Sequence, residues 1–139
     1  LDAERVAVGQ ALGIEVMTAQ GWLEIAYGAT GQNLWEAVLD NVGYAGIRAP
    51  ASMETRYLSE DVPAGLVPMA SLGRLLSIPT PTMDAIITLA STVHAVDYWA
   101  IGRTVERLGL AGLELGGIRA LVEKGGMASA REPAAIVGA

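Results

Sequence analysis

The segment RYLSEDVP, residues 56–63, gathers an arginine, a tyrosine, two adjacent acids and a proline in a chain that is otherwise apolar and thinly charged. Arg56 offers a planar fork that matches a carboxylate through two parallel hydrogen bonds. Asp61 offers a carboxylate able to fix a neighbouring imidazole and to stabilise its charged form. Together they suit a site for an anionic substrate. The plain alternative is a loop salt bridge between Arg56 and Glu54 or Glu60. A second constellation is His94 with Asp97, whose spacing of three brings both side chains to one face of a helix. It is either a general base with its orienter or an exposed histidine beside an acid, and nothing nucleophilic stands near it.

Other chemistries lack their residues. The 17 glycines give neither G-x-G-x-x-G nor G-x-x-x-x-G-K-[ST], so the sequence contains no dinucleotide turn and no P-loop. No serine sits in G-x-S-x-G. With no cysteine and one histidine, disulfides, thiolate metal sites and multi-imidazole sites are excluded. The net charge is −6 and lysines and arginines are not clustered, so there is no footprint for nucleic acid or for an anionic membrane surface. The longest stretches free of Asp, Glu, Lys and Arg, residues 62–73 and 85–96, fall short of the roughly 18 residues of a membrane span. No signal peptide is visible at the start.

The elements that would hold these residues read as helices. At 139 residues and 52% hydrophobic composition the chain fits one packed domain. Helical patterns cover residues 2–12, with Asp2 as N-cap and Gly13 as stop, then about 19–27 and 32–41. Residues 44–63, in which Pro50 and Pro63 flank the opening motif, break the rhythm and are expected to be irregular with one helical turn. Helix resumes over 64–76, with Pro68 in a first turn or at a kink. The strongest pattern runs from about 82 to 99, with Thr80 or Thr82 as cap and Pro81 in the first turn. Shorter helices are expected over 102–108, ending at Gly109, and over 114–124, ending at Gly125-Gly126. Residues 127–139 read as a tail. No segment alternates as a strand does, so the expected fold class is all-α.

From residue 56 the order RYLSEDVPAGLVPMASLGRLLSIPTPTMDAIITLAS, then DYWAIGRTVERLGL, resembles the C-terminal helical domain of the octopine/nopaline (opine) dehydrogenase family. The opening LDAERVAVGQALGI is similar too, and the resemblance extends over most of residues 1–124. Its most specific parts are R-Y-x-x-E-D-x-P, G-L-V-P, P-T-P, and D-Y-W followed by G-R-T. The resemblance implies a helical substrate domain over residues 1–126, related to the C-terminal domain of 6-phosphogluconate dehydrogenase. It also implies an N-terminal Rossmann domain, absent from this chain, that holds NAD(H) or NADP(H). Enzymes of the family condense an amino acid with a 2-oxo acid and reduce the imine. Those two substrates and the Rossmann domain are thus the implied partners, with a homodimer and a cytoplasmic location as further expectations.

Residue by residue, the resemblance makes Asp61 the acid that orients a catalytic histidine and Arg56 the clamp for a substrate carboxylate. That histidine has no match and is expected upstream of Leu1; His94 falls between the family's motifs. Trp99 and Arg103 either shape the pocket or serve helix packing and surface pairing. Two other readings stay open: a non-catalytic helical binding or dimerisation module, and a related dehydrogenase acting on a hydroxy acid.

Overall fold

A computed structural model describes residues 1–125, and every regular element among them is helical. The expected tail over residues 127–139 lies outside the described residues. The elements are α1 (Asp2–Ala11), α2 (Ala19–Tyr27), α3 (Leu34–Asp40), a 3₁₀ turn (Val42–Tyr44), α4 (Arg56–Ser59), a π-helical turn (Val62–Leu66), α5 (Val67–Leu75), α6 (Pro81–His94), α7 (Tyr98–Ile101) and α8 (Leu115–Lys124). The all-α expectation holds for these residues.

The main core joins the π turn, α5, α6 and α7. Val62, Val67, Ala70, Met83, Ile87, Ala90 and Tyr98 are buried together, with Leu58, Leu66, Met69, Val96 and Trp99 packed around them. Met83, Ile87 and Ala90 recur at the helical period along α6 and form its buried face. A smaller cluster of Leu23, Ala29 and Ala37 joins α2 to α3.

Local signals explain several boundaries. Thr18 and Asn33 cap α2 and α3 by accepting the N–H groups of Gly21 and Glu36. Gly28 and Gly125 end α2 and α8 in the left-handed conformation that glycine adopts at little cost. Asp2 differs from the expectation: it is the first residue of α1, and its carboxylate accepts from Ala19 N (2.9 Å) and Arg5 Nε (2.8 Å) instead of capping its own helix.

Two expected helices are corrected. The long one stops at His94, where Ala95 takes the left-handed conformation at φ 51°. The apolar period continued through Val96, but Asp97 begins a new element by accepting from Trp99 N and Ala100 N as the cap of α7. No helix covers residues 102–108: Gly102 is extended (φ −71°, ψ 171°), and its backbone lies so close to α5 that a Cβ would stand 2.7 Å from Val67 Cγ1.

Pro63 and Pro68 shape the segment that carries the opening motif. Val67 N bonds to Val62 O, five residues back, so the next acceptor in that register, Pro63 O, faces Pro68, which has no N–H. Arg103 N supplies the missing donor at 2.9 Å. The G-R-T stretch thereby closes onto the segment following R-Y-x-x-E-D.

Candidate active site

The one helical turn expected within the irregular stretch falls on the motif itself, as α4, and runs on into the π turn. Thr55 caps α4, its Oγ1 accepting Tyr57 N at 3.4 Å. The turn continues through Glu60 N to Arg56 O (2.8 Å) and Ala64 N to Glu60 O (3.0 Å) into the π turn. Leu58, packed on the core, and Val62, buried in it, are four residues apart and anchor this stretch from below. Arg56, Tyr57, Ser59, Glu60 and Asp61 are therefore left exposed. Two apolar residues in register turn the polar ones outward.

Arg56 and Asp61 are five residues apart, roughly 140° around a helix, so they do not face one another. The ion pairs among the described residues are Arg5–Asp2 and Arg74–Asp84. The salt bridge from Arg56 to Glu54 or Glu60 is not formed, and both candidate side chains present their charges to solvent. Arg56 is thus free to fork onto a carboxylate, and Asp61 to accept an N–H from outside the described residues. Next to Arg56, Tyr57 lines an open cavity of about 720 Å³ with Val38, Leu39, Val42, Tyr44 and Ile47.

His94 is not paired with Asp97, whose carboxylate is engaged by the N-terminus of α7. Its Nδ1 lies 2.6 Å from the Tyr98 hydroxyl and its Nε2 lies 2.9 Å from Met53 O. The i+4 partner Tyr98 is of a kind that helical spacing can suggest; Met53, 41 residues away, has no local signal. Trp99 packs on the core with the Arg74 guanidinium 3.6 Å from its ring centroid, and Arg103 contributes its backbone N–H to Pro63. For these two, the contacts seen are structural ones.

The family described as NAD/NADP octopine/nopaline dehydrogenase, alpha-helical domain, matches residues 1–94, which include α1 to α6 and both Arg56 and Asp61. The chain belongs to this family. It is 43% identical over 123 residues to an opine dehydrogenase of Arthrobacter sp. (strain 1C), covering 88% of this chain and 34% of that protein. It is 34% identical over 112 residues to the protein ocs of Agrobacterium tumefaciens (strain Ach5), covering 81% and 31%. To a vitopine synthase of Allorhizobium ampelinum it is 31% identical over 112 residues, again covering 81% and 31%. The chain therefore spans about a third of the length of these relatives. Among the described residues of this opine dehydrogenase-family domain, no helix is long and apolar enough to cross a membrane.

Proposed function

We propose that this chain is the substrate-binding helical domain of an enzyme that condenses an amino acid with a 2-oxo acid and reduces the product with NAD(P)H. The observation that carries the reading is the outward presentation of Arg56 and Asp61, neither in an ion pair among the described residues, on the anchored α4 turn inside the family-matched segment. Both substrates of such a reaction carry carboxylates, and a free arginine fork is suited to hold one of them in a fixed orientation. Condensation forms a carbon–nitrogen bond with loss of water, and the protons involved need an acid–base group. Asp61 fits the role of holding that group, an imidazole, in the correct tautomer and orientation.

The imidazole and the dinucleotide are assigned to other parts of the full-length protein. The described residues contain no strand, hence no strand-to-helix turn of the kind that receives a pyrophosphate, and they do not fit NAD(H) or NADP(H) by themselves. We assign the dinucleotide to a Rossmann domain, where it would supply the hydride that reduces the imine. The exposed apolar side chains of α2, α3 and the 3₁₀ turn, among them Ile25, Trp35, Leu39 and Val42, support the packing of further protein on this domain.

The test follows NAD(P)H absorbance with the complete protein. Oxidation is expected only when an amino acid and a 2-oxo acid are both present. Oxidation with the 2-oxo acid alone would instead indicate a hydroxy-acid dehydrogenase, and no oxidation with any pair would favour a non-catalytic module.

A further inference from the structure

We infer that His94 is a positioning residue for the carboxylate clamp, holding the segment that leads into Arg56 against the core. This deepens the proposed function, since it rests on the reading of Arg56 as the clamp. Residues 42–54 are exposed at every position, so apolar burial among the described residues does little to place them. The backbone hydrogen bonds of residues 45–55 join near neighbours: Ala45 N to Val42 O, Ile47 N to Tyr44 O, Thr55 N to Met53 O. Among the described residues, the contact between His94 Nε2 and Met53 O is the one hydrogen bond that ties this segment to a distant part of the chain.

The chemistry of the two partners fixes the imidazole. A carbonyl oxygen only accepts, so Nε2 carries the hydrogen and donates it to Met53 O. Nδ1 then bears the lone pair and accepts from the Tyr98 hydroxyl at 2.6 Å. Tyr98 is only 3% exposed, lies in the main core, and has its backbone N–H on Ser91 Oγ at 3.2 Å. The left-handed turn at Ala95 folds α7 back so that this hydroxyl meets the last residue of α6. A continuous strut results: buried Tyr98, His94, Met53 O, then Thr55, whose N–H shares the same carbonyl at 2.8 Å and whose hydroxyl caps α4 at the residue after Arg56. Release of the strut frees the N-terminal side of Arg56 while leaving the Leu58–Val62 anchor in place. An arginine that must meet both oxygens of a carboxylate then loses part of its preorganisation.

Steady-state kinetics of the complete protein test this, with Arg56→Ala as the reference. His94→Ala is expected to raise KM for the clamped carboxylate substrate roughly five- to tenfold, the worth of about one hydrogen bond, with kcat nearly unchanged. His94→Gln, which keeps an N–H for Met53 O, is expected to restore KM. The double variant His94→Ala/Arg56→Ala is expected to be no worse than Arg56→Ala alone, because His94 acts through Arg56. If Arg56→Ala raises KM and a folded His94→Ala does not, or if the two effects simply multiply, the positioning role is wrong. If Arg56→Ala itself leaves KM unchanged, it is the clamp reading that fails.

A second readout does not depend on activity. His94 is the only histidine of the 139-residue chain, so its imidazole nitrogens are unambiguous in a long-range ¹H–¹⁵N spectrum. A protonated Nε2 and an unprotonated Nδ1 are expected. Averaging of the two in the unaltered chain would overturn the strut.

Discussion

Arg56 and Asp61 do their proposed work as exposed charges held by buried neighbours, so their substitution should separate function from stability. Asp61→Asn keeps the shape but removes the charge that would steady an imidazole. It is expected to lower kcat of the complete enzyme by roughly 10²-fold or more. Its thermal unfolding should stay within about 0.5 kcal/mol of the parent, since surface changes away from special features cost little. Both residues stood out in the sequence as candidates, because the arginine fork and the adjacent acids are chemically distinctive, and their proposed roles come from the family resemblance. Their setting was legible in part: one helical turn was expected within residues 44–63, but not that Leu58 and Val62 would dock it on the core. The His94–Asp97 pair was a reasonable local reading that failed because a helix N-terminus competes for the same carboxylate.

At the scale of elements, long-range capping is the feature that local patterns concealed. Thr80 occupies the N-cap position of α6 without a side-chain cap bond. Glu4 of α1 takes that role, its carboxylate accepting Thr82 N at 2.7 Å and Met83 N at 2.9 Å. Desolvation acts to raise the Glu4 pKa, but the bonds to Thr82 and Met83 outweigh it and hold the carboxyl below its usual 4.5. Asp2 is likewise lowered from 3.8: burial opposes the shift, and Ala19 N–H with Arg5 overcomes it. A depressed folded-state value means that the unfolded chain binds more protons in this range. The stabilisation from both acids is therefore complete above about 4.5 and lost as pH falls through the folded values below it. Urea midpoints measured between pH 6 and pH 3 should fall in that window, and Glu4→Gln should flatten the fall. Gly102 is the second feature that sequence alone concealed. A Cβ there would stand 2.6 Å from Tyr98 O and 2.7 Å from Val67 Cγ1, so Gly102→Ala should cost about 1–3 kcal/mol in denaturant unfolding. The cost is one of contact, since φ at this position is ordinary for any residue.

At the scale of the whole molecule, the main core of the described residues joins the π turn, α5, α6 and α7, and a smaller one joins α2 to α3. Ile87 is fully buried in the main core, and Ile87→Ala is expected to cost about 2–5 kcal/mol, a large share of a typical domain's stability. The all-helical class was readable from the helical patterns of α1, α2, α3 and α8, whose helices formed close to where the patterns lay. The turns at Ala95 and Gly102 were not, because one lacks a glycine signal and the other depends on contacts with α5. On the proposed function this fold presents Arg56 as a clamp for a substrate carboxylate, and the KM of Arg56→Ala in the complete protein decides the matter. The loss of a bidentate, charge-assisted pair predicts a rise of about 10- to 100-fold with an unchanged melting temperature. An unchanged KM in a folded Arg56→Ala enzyme would contradict it.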